Sequence, residues 1–124
     1  MRILIIEDSD SICRMIEALV SARGYEVVSA ASGARGLELA FEKTPDVVLL
    51  DLNLPGSFDG FDVTRRIREN LVTKNVPVII ISAMSDEDSK RKALEAGASA
   101  YYTKPFSPIS LLKEIESLKT KRPV

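Results

Sequence analysis

Residues 45–56 read PDVVLLDLNLPG, and the first half of that stretch decides the fold. Val47–Leu50 is an unbroken apolar run, with no alternate residue left for a solvated face. Such a run suits a strand covered on both sides, as in a parallel sheet between two layers of helices. Asp51 follows directly. A carboxylate placed behind a buried run is unfavourable unless something pairs with it.

Outward from this strand the same pattern repeats. Arg2–Ile6 and Val78–Ile81 are further apolar runs, and Glu26–Ala30 and Ala100–Tyr102 complete five predicted strands. Longer amphipathic stretches separate them. Asp10–Arg23 places Ile12, Met15, Ile16, Leu19 and Val20 on one helical face and stops at Gly24. Ser32 offers an N-cap to a helix carrying Leu37, Ala40 and Phe41. A third helix is predicted from about Phe61 to Glu69. Ser85 is the expected cap of a polar helix ending at Ala96 before Gly97, with Ala93, Leu94 and Ala96 as its few apolar anchors. Ser107 and Pro108 start a last helix carrying Leu111, Leu112, Ile115 and Leu118. Strands alternating with helices predict a doubly wound α/β domain, because parallel neighbours need crossover connections. The domain is expected over 1–119, with 120–124 a charged C-terminal tail.

The 124 residues suit one such core. A net charge of -1 gives no basic surface for nucleic acid. The apolar runs are too short to span a bilayer, and a strand beginning at Arg2 leaves no room for a signal peptide, so a cytoplasmic chain is expected. Cys13, the single cysteine, reads as a small core residue. Histidine is absent, which excludes the usual zinc sites and Ser-His-Asp triads. Any histidine chemistry must come from a partner.

Ligands of doubly wound sheets bind outside the carboxyl ends of the strands. The residues there are Glu7 and Asp8, Asp51, Ser82 and Lys104. Neighbouring carboxylates at ~4 Å repel by roughly 4 kcal/mol at an effective dielectric near 20. A hard divalent ion relieves that repulsion, and Mg²⁺ suits a site of one or two carboxylates plus phosphate oxygens. Asp51 could then attack phosphorus as a nucleophile. Lys104 would meet phosphoryl oxygens with a point charge, and Ser82 would donate a hydroxyl hydrogen. Each residue also has a plainer use. Acids at Glu7 and Asp8 could serve the following helix, Ser82 could be a turn residue, and Tyr101 a core aromatic.

Four segments in order, ILIIEDSD, PDVVLLDLNLPG, VPVIIISAMS and GASAYYTKPFSP, resemble the receiver domains of bacterial response regulators over the whole chain. The resemblance implies a flavodoxin-like sheet of order 2-1-3-4-5 with helices on both faces. It implies that Asp51 accepts a phosphoryl group from a sensor histidine kinase or phosphotransfer protein, with Mg²⁺ as cofactor. Asp8 resembles the direct metal ligand, Glu7 the acid acting through metal-bound water, and Asn53 the donor of a backbone carbonyl. Ser82 matches the family's hydroxyl position, and Lys104 the phosphate-binding lysine before a cis proline, Pro105. Tyr101 matches the aromatic switch residue. Such a chain is a signalling phosphoacceptor rather than an enzyme, and it passes its state to a downstream protein target through the fourth helix, fifth strand and fifth helix. On this view phosphorylation offers Ser82 and Lys104 a partner they lack at rest, and Tyr101 turns inward.

Three features depart from the family pattern. PGSFDG carries one extra residue before Gly60, Ser99 and Ala100 stand where acidic residues commonly support an ion-paired dimer, and bulky Met84 lies near the path of attacking water. A monomer or weak phosphorylation-dependent dimer is expected, with no direct nucleic-acid binding and no membrane association. The competing readings are a receiver fragment of a larger transcription factor or hybrid kinase, a receiver that never takes phosphate, and an aspartate-nucleophile phosphohydrolase. The last is disfavoured because Asn53 stands where those enzymes need an acidic proton donor.

Overall fold

Successive strand residues point to opposite faces of a sheet, and here both faces are covered. A computed structural model describes residues 1–121, with side chains through Leu118. In chain order the elements are β1 (Arg2–Ile6), α1 (Asp10–Ser21), β2 (Glu26–Ala30), α2 (Gly33–Lys43), β3 (Val47–Leu50), α3 (Gly60–Glu69), β4 (Val78–Ser82), α4 (Glu87–Ala96), β5 (Ala100–Thr103) and α5 (Pro108–Lys121). The strands pair in parallel in the order β2-β1-β3-β4-β5. The expected doubly wound, flavodoxin-like topology is the observed one.

Alternation within the apolar runs divides the core in two. Leu4, Ile6, Val48, Leu50, Val78 and Ile80 join Leu37, Ala40, Val63, Ile67 and Ala93 on the α2–α3–α4 side. Ile3, Ile5, Val47, Leu49, Ile79 and Ile81 join Ile16, Val20, Leu111, Leu112 and Ile115 on the α1–α5 side. Each fully buried aliphatic side chain contributes roughly 1.5–3 kcal/mol of hydrophobic stabilisation, so the central strands anchor the molecule.

Several predicted details shift. Helix α1 ends at Ser21 rather than Arg23, because the chain turns through Gly24 at φ 82°. The cap of α4 is Asp86, not Ser85: its carboxylate accepts the Ser89 N–H at 2.9 Å, and its charge suits a helix N-terminus. Leu94 is 56% exposed, so it anchors nothing, and Ala93 is the only fully buried side chain of α4. Met15 and Phe41 also lie at the outer margin of their helices. Helix α5 runs through Lys121, past the expected start of the tail, and residues 122–124 lie outside the described residues.

Candidate acidic site at the rim of the sheet

Backbone bonds beyond the strand ends hold the rim residues in place. The Glu7 N–H donates to the Ala30 carbonyl at 3.0 Å, Asp51 N–H to Ile6 at 3.0 Å, and Lys104 N–H to Ser82 at 2.8 Å. Parity then decides where side chains go. Ile6, Leu50 and Tyr101 belong to the α2–α3–α4 side, so Glu7, Asp51 and Lys104 each fall to the opposite parity and meet. Ser82, following Ile81 of the α1–α5 cluster, falls to the parity of Tyr101.

The Lys104 ammonium lies between two acids, 2.8 Å from Glu7 Oε1 and 3.1 Å from Asp51 Oδ2. Both carboxylates are buried, at 5% and 6% exposure, while Asp8 is exposed. The remaining oxygens are held by backbone amides: Ser9 N–H donates to Glu7 Oε2 at 3.1 Å, and Asn53 N–H to Asp51 Oδ1 at 3.2 Å. The helix-capping role open to Glu7 and Asp8 is taken by Ser9, whose hydroxyl accepts the Ile12 N–H. Burial raises the Glu7 carboxyl above the usual carboxylate range, against the pull of Lys104. Burial works against the Lys104 ammonium too, but its bonds to Glu7 and Asp51 outweigh that and raise its pKa.

Glu7, Asp8 and Asp51 each present a carboxylate oxygen within 4.8 Å of the others. Three carboxylates against one ammonium leave the cluster net negative, and an all-oxygen donor set matches a small hard cation. A groove of about 350 Å³ opens beside them, lined in part by Asp10, Cys13, Arg14 and Glu17 of α1.

Lys104 therefore has partners at rest, contrary to expectation, because the strand register delivers two acids to one ammonium. Ser82 is fully buried and also partnered, its Oγ accepting the Met84 N–H at 3.1 Å. Tyr101 does not stand outside waiting to turn in: it packs against the α2–α3–α4 core, and its hydroxyl donates to the Met84 carbonyl at 2.6 Å. Met84 thus links Ser82 and Tyr101 through its backbone, a role its side-chain type does not advertise. The Lys104–Pro105 peptide is cis, as expected. In the loop with the extra residue, Gly56 takes φ 90° and Phe58 turns back onto the core beside Arg66, 5.0 Å from its ring.

The chain belongs to the response regulator receiver domain family, whose model matches residues 3–116. The response regulator PleD of Caulobacter vibrioides is 37% identical over 117 residues, covering 94% of this chain and 26% of that protein. A Chloroflexus aurantiacus chain described as a response regulator superposes with a TM-score of 0.90 at 34% identity, covering 97% of this chain and 98% of that one. The receiver domain of sensor histidine kinase PA1611 from Pseudomonas aeruginosa PAO1 superposes with a TM-score of 0.86 at 31% identity, covering 94% and 95%. That structure has a magnesium ion coordinated in its active-site cleft. The chain spans 26% of PleD and about half of other curated relatives, at 50% and 49%. It is a receiver domain of two-component signalling. Among the described residues, no helix is long and apolar enough to cross a membrane.

Proposed function

We propose that Asp51 accepts a phosphoryl group from a phosphohistidine on a sensor histidine kinase or phosphotransfer protein, and that the chain then changes its affinity for a downstream protein. The observation that carries this reading is the buried Glu7–Lys104–Asp51 set with Asp8 beside it. An Asp51 oxygen would bond to phosphorus as the phosphorus–nitrogen bond breaks and its electron pair stays with the donor's imidazole. Lys104, already 3.1 Å from Asp51, needs only a short movement to meet a phosphoryl oxygen. Asp8, Asp51 and the Asn53 carbonyl would hold Mg²⁺, with Glu7 acting through water. When bound, the ion supplies charge neutralisation and a seat for phosphoryl oxygens.

The switch follows from the resting bonds. Ser82 Oγ accepts the Met84 N–H and keeps its own hydrogen to donate, so drawing it toward a phosphoryl oxygen would pull on Met84, the residue to which Tyr101 is tied. The signal would therefore reach the α4–β5–α5 face through the Met84 peptide, with Tyr101 already inward. The unit acts as a signalling phosphoacceptor in the cytoplasm, its domain beginning at residue 1 and including helix α5. It works as a monomer or weak phosphorylation-dependent dimer, without contacting nucleic acid or membrane. The partial coverage of its relatives favours a second reading, in which this receiver belongs to a larger transcription factor or hybrid kinase.

Intact-mass spectrometry tests the acceptor. With Mg²⁺ and phosphoramidate the wild-type chain gains one phosphoryl group, and Asp51→Asn gains none. Equal labelling of the variant would sink the assignment.

A further inference from the structure

The two ends of α4 are held very differently. At its start, Asp86 and Ser89 form an exposed cap, with Ser89 N–H and Oγ each 2.9 Å from the Asp86 carboxylate. Along its length only Ala93 is fully buried. At its end the chain turns through Gly97 at φ 114°, and the Ala98 N–H returns to the Ala93 carbonyl at 3.0 Å. Arg68 of α3 lies across this turn. Its Nε donates to the Gly97 carbonyl at 2.9 Å, and its Nη1 to the carbonyls of Val76 at 2.5 Å and Lys74 at 3.2 Å. Its Nη2 reaches Ser99 Oγ at 3.3 Å, and Ser99 Oγ in turn accepts the Val78 N–H at 3.1 Å. One guanidinium thus joins the end of α4 to the segments entering β4 and β5.

The side chain is also packed. A Cβ on Gly97 would come within 2.6 Å of Arg68 Cγ, so the stem lies flat against the bare glycine. The base is firm, because α3 buries Val63, Thr64 and Ile67 and starts with a capping box. A planar fork bonding several carbonyls loses little further freedom, and its charge suits the negative end of a helix. The exposed cap at the other end is easier to open.

We infer that Arg68 is a positioning residue for the switch, pinning the C-terminal end of α4 so that a rearrangement begun at Ser82 tilts the helix about Gly97 instead of sliding it. The inference rests on the phospho-switch reading above. It locates the moving end at Met84–Lys90 and the fixed end at Gly97–Ser99.

Backbone NMR of the whole chain, with and without beryllofluoride and Mg²⁺, tests the pin. In the wild type the shift changes decline along α4 and are smallest at Gly97–Ser99. Arg68→Met abolishes that gradient and lowers hydrogen-exchange protection of Gly97 and Ala98 by roughly tenfold, the size of one lost bond to a charged group. Arg68→Lys keeps the stem and the charge but lacks the fork, so it carries the test if Arg68→Met does not fold, and it too flattens the gradient. Uniform shifts along wild-type α4, or a gradient unchanged in both variants, would overturn the pin while leaving the phosphoacceptor reading intact. Silence around Asp51 itself would instead remove the reading on which the pin rests.

Discussion

Burial, aided by the Glu17 carboxylate 3.4 Å from the sulfur, pushes the Cys13 thiol up to about 11. Burial also raises Glu7 nearby, even though Lys104 bonds to it and pulls the other way. Only the thiolate is nucleophilic, and its fraction at pH 8 falls about tenfold for each unit of pKa gained. From an ordinary thiol value of 9.0 to about 11 the thiolate fraction drops roughly a hundredfold. Iodoacetamide should therefore alkylate the folded chain about a hundred times more slowly than the urea-unfolded chain at pH 8, with the folded rate still climbing as pH approaches the raised pKa. Equal rates would mean that neither burial nor Glu17 raises Cys13. Cys13 is half-buried against the α1–α5 core, in keeping with its expected place, but its composition alone could not announce the acid one turn away.

Among the elements, α3 has the most fully specified start. Asp59 Oδ1 accepts the Asp62 N–H at 2.9 Å, and Asp62 Oδ2 accepts the Asp59 N–H at 3.1 Å. Asp59→Ala should cost about 1 kcal/mol, read as a lower urea midpoint with an unchanged denaturant slope. An unaltered midpoint would show that Gly60 packing, not the cap, sets the helix start. That packing is close, since a Cβ on Gly60 would lie 2.5 Å from the Asp51 carbonyl. Helix α4 makes the contrasting case. Adjacent Ser85 and Asp86 are both good caps by residue type, and only the path of the chain out of β4 selects Asp86. Leu94 reads as an anchor by hydropathy, yet Ala93 takes the inward position.

At the scale of the whole molecule the acidic cluster is a cost of folding that its one ammonium relieves only in part. Glu7 and Asp51 are brought together in the folded state, with Lys104 offsetting part of their repulsion. A cation that binds only the folded chain adds stability with its concentration, about 2.7 kcal/mol at a hundred times its dissociation constant. Raising Mg²⁺ should therefore raise the thermal midpoint of the wild-type chain. Asp8→Asn should lose more of that increment than Glu7→Gln, because Asp8 is proposed to touch the ion directly. Midpoints indifferent to Mg²⁺ in all three proteins would make the cluster structural.

The sequence by itself determined the parallel sheet, since apolar runs such as Val47–Leu50 leave no residue for a wet face. It also marked Glu7 and Asp51 as rim residues, because each carboxylate directly follows a buried apolar run. The tertiary structure alone decided how those residues pair. Glu7 and Lys104 are 97 positions apart, and only strand register and side-chain parity set them 2.8 Å from each other. The same holds for Tyr101, whose hydroxyl seeks a backbone carbonyl at Met84, and for Arg68, whose partners are mostly carbonyls. Every residue carries a carbonyl, so no residue type marks the one that will be chosen.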